Sequence, residues 1–389
     1  MMRETFVRIM GKRALALAIA LQALCCAQSS EVSFRHVIID EAGPKDPWIK
    51  ALADVSGDGL PDVIVGGQSG PLVWYLYPAW QKSAIAKGGY DAVDGEAADV
   101  DGDGDLDIVM GGVIWYENPR PKGDPAKEIW KAHRIGSHNS HDVEVADLDR
   151  DGDVDVVARG QSGFGSKAGN KIFLWRQDSP DSWSQRVIEC PHGEGLALGD
   201  MDGDGDADVV IGARWCENPK DIVGGTWAEH VYSSSWTHED TKVEVGDING
   251  DGRPDVTLTP AEGNYRIAWF ESPKDPRKGD WTEHVIEKSI GGIHSLQIAD
   301  MDGDRNPDVV VAKMHQYEPP HEVAIYFNER KGEGWKKQVL AAKGSHNVQV
   351  GDIGNDGDLD VMGANWSGPY QPVEMWESRR DGAQTRPHE

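Results

Sequence analysis

"SHNSHDVEVADLDRDGDVD", residues 137–155, couples a short histidine-bearing segment to a run with aspartate at every second position. Asp147, Asp149, Asp151, Asp153 and Asp155 crowd like charges into one short loop. Carboxylates packed this densely repel one another unless a cation holds them together. The run returns along the chain as "ADVSGDGLPD" (53–62), "ADVDGDGDLD" (98–107), "GDMDGDGDAD" (199–208), "GDINGDGRPD" (246–255), "ADMDGDRNPD" (299–308) and "GDIGNDGDLD" (351–360). The leading aspartates, at 54, 99, 147, 200, 247, 300 and 352, lie 45 to 53 residues apart. Repeats of that length with strand patterns inside them are the signature of propeller blades.

Each unit divides into four short strand patterns bounded by Gly, Pro, Asn and Asp. An alternating run such as "VEVADLD" leads into the acidic loop, and an apolar run such as "DIVMGG" or "DVVIGA" leaves it. A third run carries an aromatic ("VIWYENP", "RWCENP", "IAWFESP", "VEMWES"), and a fourth starts after a Trp ("WTEHVIE", "WAEHVY", "WKKQVL"). Glu-Asn-Pro after the third run reads as turn chemistry. The seventh unit stops after its third strand (373–378), while "FRHVIID" (34–40) near the N-terminus matches the fourth-strand pattern. The expected fold is therefore all-β. One domain over residues 31–380 forms a seven-bladed β-propeller of four-stranded antiparallel blades, with a tail at 381–389. The N-terminal strand completes the last blade, and closing the ring removes exposed sheet edges.

The 389-residue chain has a net charge of −27, which excludes a nucleic-acid partner, since phosphate binding needs clustered Lys and Arg. Residues 1–27 have the form of a secretory signal peptide: Arg3, Arg8, Lys12 and Arg13, then an apolar run from Ala14 to Leu24, then "CCAQSS". The expected location is secreted or periplasmic, with a lipid anchor at Cys25 or Cys26 as the alternative. The apolar run is too short to span a membrane, and no other segment is a candidate. Cys190 and Cys216 either pair or stay free thiols. The chain is expected to be a monomer.

In D-x-D-x-D-G-x-x-D, oxygens from positions 1, 3, 5 and 9 can converge on one centre while Gly permits the sharp turn, and hard oxygen ligands in such a loop suit Ca2+. The expected ligands are Asp54, Ser56, Asp58 and Asp62 in the first copy; Asp99, Asp101, Asp103 and Asp107 in the second; and Asp147, Asp149, Asp151 and Asp155 in the third. They continue as Asp200, Asp202, Asp204 and Asp208; Asp247, Asn249, Asp251 and Asp255; and Asp300, Asp302, Asp304 and Asp308. The last copy offers Asp352, Asp356 and Asp360, and loses a ligand at Gly354. An EF-hand is excluded because position 12 is never Glu and strands flank the loop. The loops carry 29 aspartates, about the whole net charge, so the acidity needs no cationic partner.

With this loop repeated in every unit, the chain resembles the FG-GAP/VCBS repeat family, whose relatives include the integrin α-subunit propeller. The resemblance covers essentially the whole chain after residue 30. It implies a propeller with calcium in the loops between first and second strands. It does not imply one function.

Once the repeat is subtracted, the third-strand and pre-fourth-strand tryptophans read as scaffold, as do His36, His133, His230 and His284 at one fourth-strand position. Three tryptophans (Trp48, Trp236, Trp366) and eight histidines (His138, His141, His192, His238, His294, His315, His321, His346) break the pattern. All fall at the start of a first strand or between strands two and three, and those two places share one face, opposite the acidic loops. Six residues before the leading aspartate stand His141, Glu194, His294 and His346, with Thr241, Val93 and Trp48 in the other blades. Second-to-third-strand loops add Gln68, Arg159, Gln161, Arg214, Glu262, Tyr265, Lys313, Tyr317 and Tyr370. The ring position shares strand parity with buried Val and Leu, which would turn some of these histidines between the blades.

Two functional readings follow. In the first, the pocket binds and processes a carbohydrate by β-elimination, with His or Tyr as base and acid and Arg or Lys stabilising the enolate-like charge. The three ring histidines with Glu194 would alternatively hold a zinc-like ion as Lewis acid. Trp48, Trp236, Trp366, Tyr265, Tyr370, His138 and His315 would line the sugar site. The arrangement is similar in outline to polysaccharide lyase propellers and the aldos-2-ulose dehydratase propeller, without a residue-by-residue match. In the second reading the face is a non-catalytic binding surface for a glycan, a protein or another extracytoplasmic ligand.

Overall fold

A computed structural model describes residues 32–90, 92–111, 114–138, 140–160 and 169–380. The segment read as a signal peptide (1–27), with Cys25 and Cys26, and the tail 381–389 lie outside the described residues. Among the described residues, twenty-eight strands form seven four-stranded sheets, every pairing within them antiparallel. Six sheets take their strands in chain order. The seventh joins Ser33–Asp40 to Val373–Arg379, so the N-terminal strand closes the ring as its pattern predicts. No helix among the described residues is long and apolar enough to cross a membrane. Cys190 and Cys216 are free thiols.

The second strands, such as Asp155–Gly160 and Asp255–Pro260, are buried on both faces, which is why they read as unbroken apolar runs. The third-strand tryptophans Trp74, Trp115, Trp175, Trp215, Trp269 and Trp376 are buried between blades. The fourth-strand histidines are scaffold: His133 and His284 stack on Trp115 and Trp269 at 4.1 Å, and Nε2 of each meets Glu117 at 2.7 Å or Glu271 at 3.0 Å. Around the axis the innermost strands approach closely below the ring position. A Cβ on Gly199 would lie 2.7 Å from Val245 of the next blade, and one on Gly351 2.9 Å from Leu52.

Acidic loops two to seven share one hydrogen-bonded frame, whereas in the first the N–H of Ser56, at position 3, meets Asp62 instead. The ninth-position aspartate accepts the N–H of position 2 (Val100 to Asp107, 3.0 Å; Leu148 to Asp155, 2.9 Å). Its other oxygen accepts the N–H of the residue after the third strand, such as Asn118 at 2.7 Å or Asn218 at 2.8 Å. Positions 4 and 6 both have positive φ in every loop. Glycine is absent there only at Arg150 (61°), Asn355 (49°) and Arg305 (72°), which carry the strain of the left-handed region.

The Asn of Glu-Asn-Pro does more than turn the chain. Asn218 Nδ2 donates to the carbonyls of Leu148 (2.9 Å) and Ala207 (3.0 Å), tying the loop of the third blade to that of the fourth. Asn118 and Asn328 do the same through Val55 and Ile248, and Gln177 reaches Val100 at 3.0 Å. Turn propensity alone did not reveal this link between blades.

Candidate functional site

At the end of the axis opposite the acidic loops, the innermost strands deliver their ring residues into one pocket. It is lined by Trp48, His141, Glu262, His294, His346 and Trp366, with Val93, Met314 and Gln316. Strand alternation would have turned the ring residues between the blades, and β-bulges are what prevent this. Pairing slips between Pro47 and Ile49, between Ser140 and Asp142, and between Ile293 and Ser295, so Trp48, His141 and His294 are each the extra residue of a bulge. A fourth slip follows His346. Thr241, by contrast, pairs regularly with Pro260 and stays out of the pocket lining. A bulge inserts one unpaired residue and re-aims its side chain.

His141 Nε2 lies 3.0 Å and His294 Nε2 3.4 Å from the same oxygen, Glu194 Oε2, and all three side chains are buried. His346 stacks on His294 at 4.4 Å, and its buried Nδ1 has no hydrogen-bond partner. Trp48 meets Trp366 edge-on at 5.5 Å. Beneath this layer a polar channel continues down the axis, lined by Asp94, Glu96, Asp142, Glu144, Lys242 and Glu244. Asp142 links the two: Oδ2 lies 3.1 Å from His141 Nδ1 and Oδ1 2.7 Å from Lys242 Nζ.

Electrostatics follows this packing. Burial works against a charged His141, yet Asp142 and Glu194 outweigh it and push its pKa up to about 10. Burial would raise Glu194, but His141 and His294 hold it well below the usual carboxylate range. Burial, with the neighbouring His294, Lys50 and Lys242, drives His346 far down, so it stays neutral. Burial also lowers Lys50 to about 7; its Nζ donates to the Pro47 carbonyl at 2.6 Å.

Several other residues singled out from the sequence go elsewhere. Arg159 is buried, and its guanidinium donates to four carbonyls, Gly169, Pro191, Glu194 and Gly195, so it clamps the backbone instead of facing a substrate. Arg214 pairs with Glu229 at 2.8 Å on the blade edge. Trp236 is core, packed on Tyr265, Phe270 and Arg266. Tyr370 donates to Glu374 (2.8 Å) under Lys343, and Lys313 donates to the Glu318 carbonyl. His138 stacks on Phe173 at 4.3 Å.

A second group borders the pocket. Tyr317 Oη donates to Glu262 at 2.5 Å, and burial with that carboxyl pushes its pKa up to about 12. His238 donates to the Glu262 carbonyl and stacks on Tyr265 at 5.3 Å. His315 approaches Trp366 at 6.0 Å and Ser367 at 3.2 Å. Burial and Glu194 raise the Asp240 carboxyl, and His192 and His238 offset only part of that push. Sequence reasoning missed Asp142, Lys242 and Asn347. They occupy the register next to the ring, which plain alternation assigns to another face.

In the acidic loops, carboxylate oxygens of positions 1, 3 and 9 lie within 4.8 Å of one another in copies two, three and four, and those of positions 1, 3 and 5 in copy six. Asp99 Oδ1, Asp149 Oδ1 and Asp200 Oδ1 are buried without hydrogen-bond partners. Burial pushes Asp107 up to about 8 and Asp155 and Asp208 to about 7. The donor sets of copies two to four therefore fit a hard cation, which would satisfy the orphaned oxygens. Copies one, five and seven, with Ser56, Asn249 and Gly354 at position 3, show no such cluster of three acids.

Fold and loops together define an all-β propeller whose blades each carry an acidic loop between first and second strands. The chain belongs to the FG-GAP-like repeat family, whose model matches residues 54–110, 147–211, 247–311 and 300–363, more than half of the chain. No curated protein matches it. Among solved structures it is similar to a chain of the crystal structure of BBS1N in complex with ARL6DN, soaked with mercury. That match has a TM-score of 0.56 and 13% identity over 92% of this chain and 99% of that one. The lead-soaked crystal of the same complex gives 0.56 and 12% identity, over 90% and 98%. At such identities the likeness is one of fold.

Proposed function

We propose that this FG-GAP-like propeller is a calcium-stabilised protein acting outside the cytoplasm, whose axial pocket binds a carbohydrate and processes it by β-elimination. The observation that carries this reading is the set of bulges that turns Trp48, His141 and His294 out of strand parity into one pocket beside His346. Bulges also occur between the outer strands, but those at Trp48, His141 and His294 recur at one ring position and open on one pocket, as a site requires. Indole faces suit sugar rings, and ionisable groups of unlike state suit proton transfer.

In such an elimination an imidazole takes the proton from the carbon next to a carbonyl or carboxylate, leaving its electron pair to form the new carbon–carbon double bond. The bond to the oxygen on the next carbon breaks, and a protonated neighbour returns a proton to that leaving oxygen. His346, which lies outside the set formed by His141, His294 and Glu194, suits the first role, and Tyr317, whose Oη donates to the pocket-lining Glu262, suits the second. The loop carboxylates of copies two to four would hold Ca2+, which offsets their repulsion and ties loop to blade.

Oxidised sugars and uronic-acid sugars, screened for a new ultraviolet-absorbing double bond, test the reading. Turnover by the native protein that His346→Ala and Tyr317→Phe abolish is expected. Turnover that survives both substitutions unchanged would place the chemistry elsewhere. A second reading, a non-catalytic binding module, is favoured by one observation: the similar solved structures hold a complex with a protein, ARL6DN. It predicts ligand retention by the same face with no substrate consumed.

A further inference from the structure

We infer that His141, His294 and Glu194 form a binding site for one transition-metal ion of the zinc class, separate from the acidic loops. The inference adds to the carbohydrate reading of the same pocket, and its test needs no sugar.

Both imidazoles aim Nε2 at Glu194 Oε2, at 3.0 and 3.4 Å. Ligands about 2 Å from a tetrahedral ion stand roughly 3.3 Å from one another, so the observed separations match such a site. The far nitrogens fix the tautomers. His141 Nδ1 faces Asp142 Oδ2 at 3.1 Å, and His294 Nδ1 faces Asn347 Oδ1 at 3.4 Å. The Asn347 amide is oriented by its Nδ2, which donates to the carbonyls of Trp48 (3.5 Å) and Val93 (3.4 Å). With an acceptor opposite each Nδ1, each ring can keep a proton there and offer Nε2 to an ion, which would take the place of the direct contact between His141 and Glu194. Glu194 Oε1 is also buried and unpartnered, a further free donor.

The site is rigidly held. Arg159 donates to the Glu194 carbonyl at 2.6 Å and to its neighbour Gly195 at 2.9 Å, and Thr241 Oγ1 donates to the Glu194 carbonyl at 3.2 Å. Asp142 is fixed by Lys242 at 2.7 Å and by the Gly195 N–H at 2.9 Å. Two imidazoles and one carboxylate leave a fourth position facing the pocket, the arrangement of an open zinc site, and nitrogen donors favour a transition metal over calcium. His346 lies beside the cluster, stacked on His294, and falls outside the convergent set of three.

Chelator-treated full-length protein in excess Ca2+, which fills the loops, is titrated with Co2+ and then Zn2+. One equivalent of Co2+ with the visible absorption of a low-coordinate nitrogen–oxygen site is expected, and Zn2+ should displace it. His294→Ala and Glu194→Gln should each weaken uptake at least about 100-fold, and Asp142→Asn roughly 10- to 100-fold. Asp149→Asn in an acidic loop should leave it unchanged. Thermal unfolding in Ca2+ confirms that each variant is folded. No uptake by native protein, or uptake equal in native protein, His294→Ala and Glu194→Gln, overturns the site. Uptake with no sugar turned over supports the metal site while the carbohydrate reading fails; turnover without uptake does the reverse.

Discussion

Asn218→Ala removes one buried side chain (5% exposed) that joins two neighbouring blades. Its Nδ2 donates to Leu148 and Ala207, and its Oδ1 accepts the Lys220 N–H at 2.8 Å, while the backbone bond to Asp208 remains. Three lost bonds at about 1 kcal/mol each, with some cost for groups left buried and unpaired, give roughly 3–4 kcal/mol. The unfolding entropy of a chain this size is roughly 0.7 kcal/mol/K, so Tm should fall by about 5 °C. The fifth blade supplies an internal control. Ser272 occupies the same position, and its hydroxyl reaches only Pro273, at 3.4 Å. Ser272→Ala should cost less than about 1 kcal/mol. Calorimetry of both variants in Ca2+ decides the matter. A drop in Asn218→Ala no larger than that in Ser272→Ala refutes the idea that these amides hold blade to blade.

Three further outcomes are expected of the same structure. Gly152 has φ +99° and nothing within 4 Å of where a Cβ would stand, so Gly152→Ala should cost about 1–2 kcal/mol from backbone strain alone, read as a fall in Tm. Removing Ca2+ with a chelator should lower stability by roughly 2.7 kcal/mol for each loop that had been held at a hundredfold excess over its Kd. Thermal unfolding with and without chelator measures this, and an unchanged Tm would exclude calcium as a structural ligand. Burial, opposed by Lys242 and reinforced by Asp94, raises Glu244 from the usual 4.5 to about 8. The folded chain then keeps a proton that the unfolded chain releases, so the penalty grows from pH 4.5 to pH 8. Glu244→Gln should therefore stabilise by roughly 2 kcal/mol at pH 8, allowing for water in the channel, and by little near pH 5. Tm measured across that range checks the sign.

Much of the architecture was legible because a propeller repeats its physics. The Asp period gave the blade number, the unmatched "FRHVIID" gave the closure, and the residues left over after subtraction pointed to the face that holds the axial pocket. Strand parity argued against the ring histidines reaching the pocket. Only the observed pairing shows the bulges that turn Trp48, His141 and His294 toward it. Long side chains from the loops were harder to read, since a loop position fixes a face without fixing a direction. Arg159 turned to backbone carbonyls, Trp236 to the core of its own blade and Tyr370 to Glu374. Asp142 escaped notice for the opposite reason. Its importance lies in what it touches, His141 and Lys242, the latter from a blade distant in sequence.

The proposed function requires a division of labour between the two ends of the innermost strands, with scaffold cations at the aspartate end and a reactive centre at the histidine end. Anomalous diffraction from crystals grown with Ca2+ and Zn2+, recorded on both sides of the zinc edge, tests it most directly. The expected result is calcium in the loops of copies two, three and four, and one zinc peak bonded to His141 Nε2, His294 Nε2 and Glu194. An axis free of zinc, or zinc scattered over the loops with none between those three residues, would contradict it.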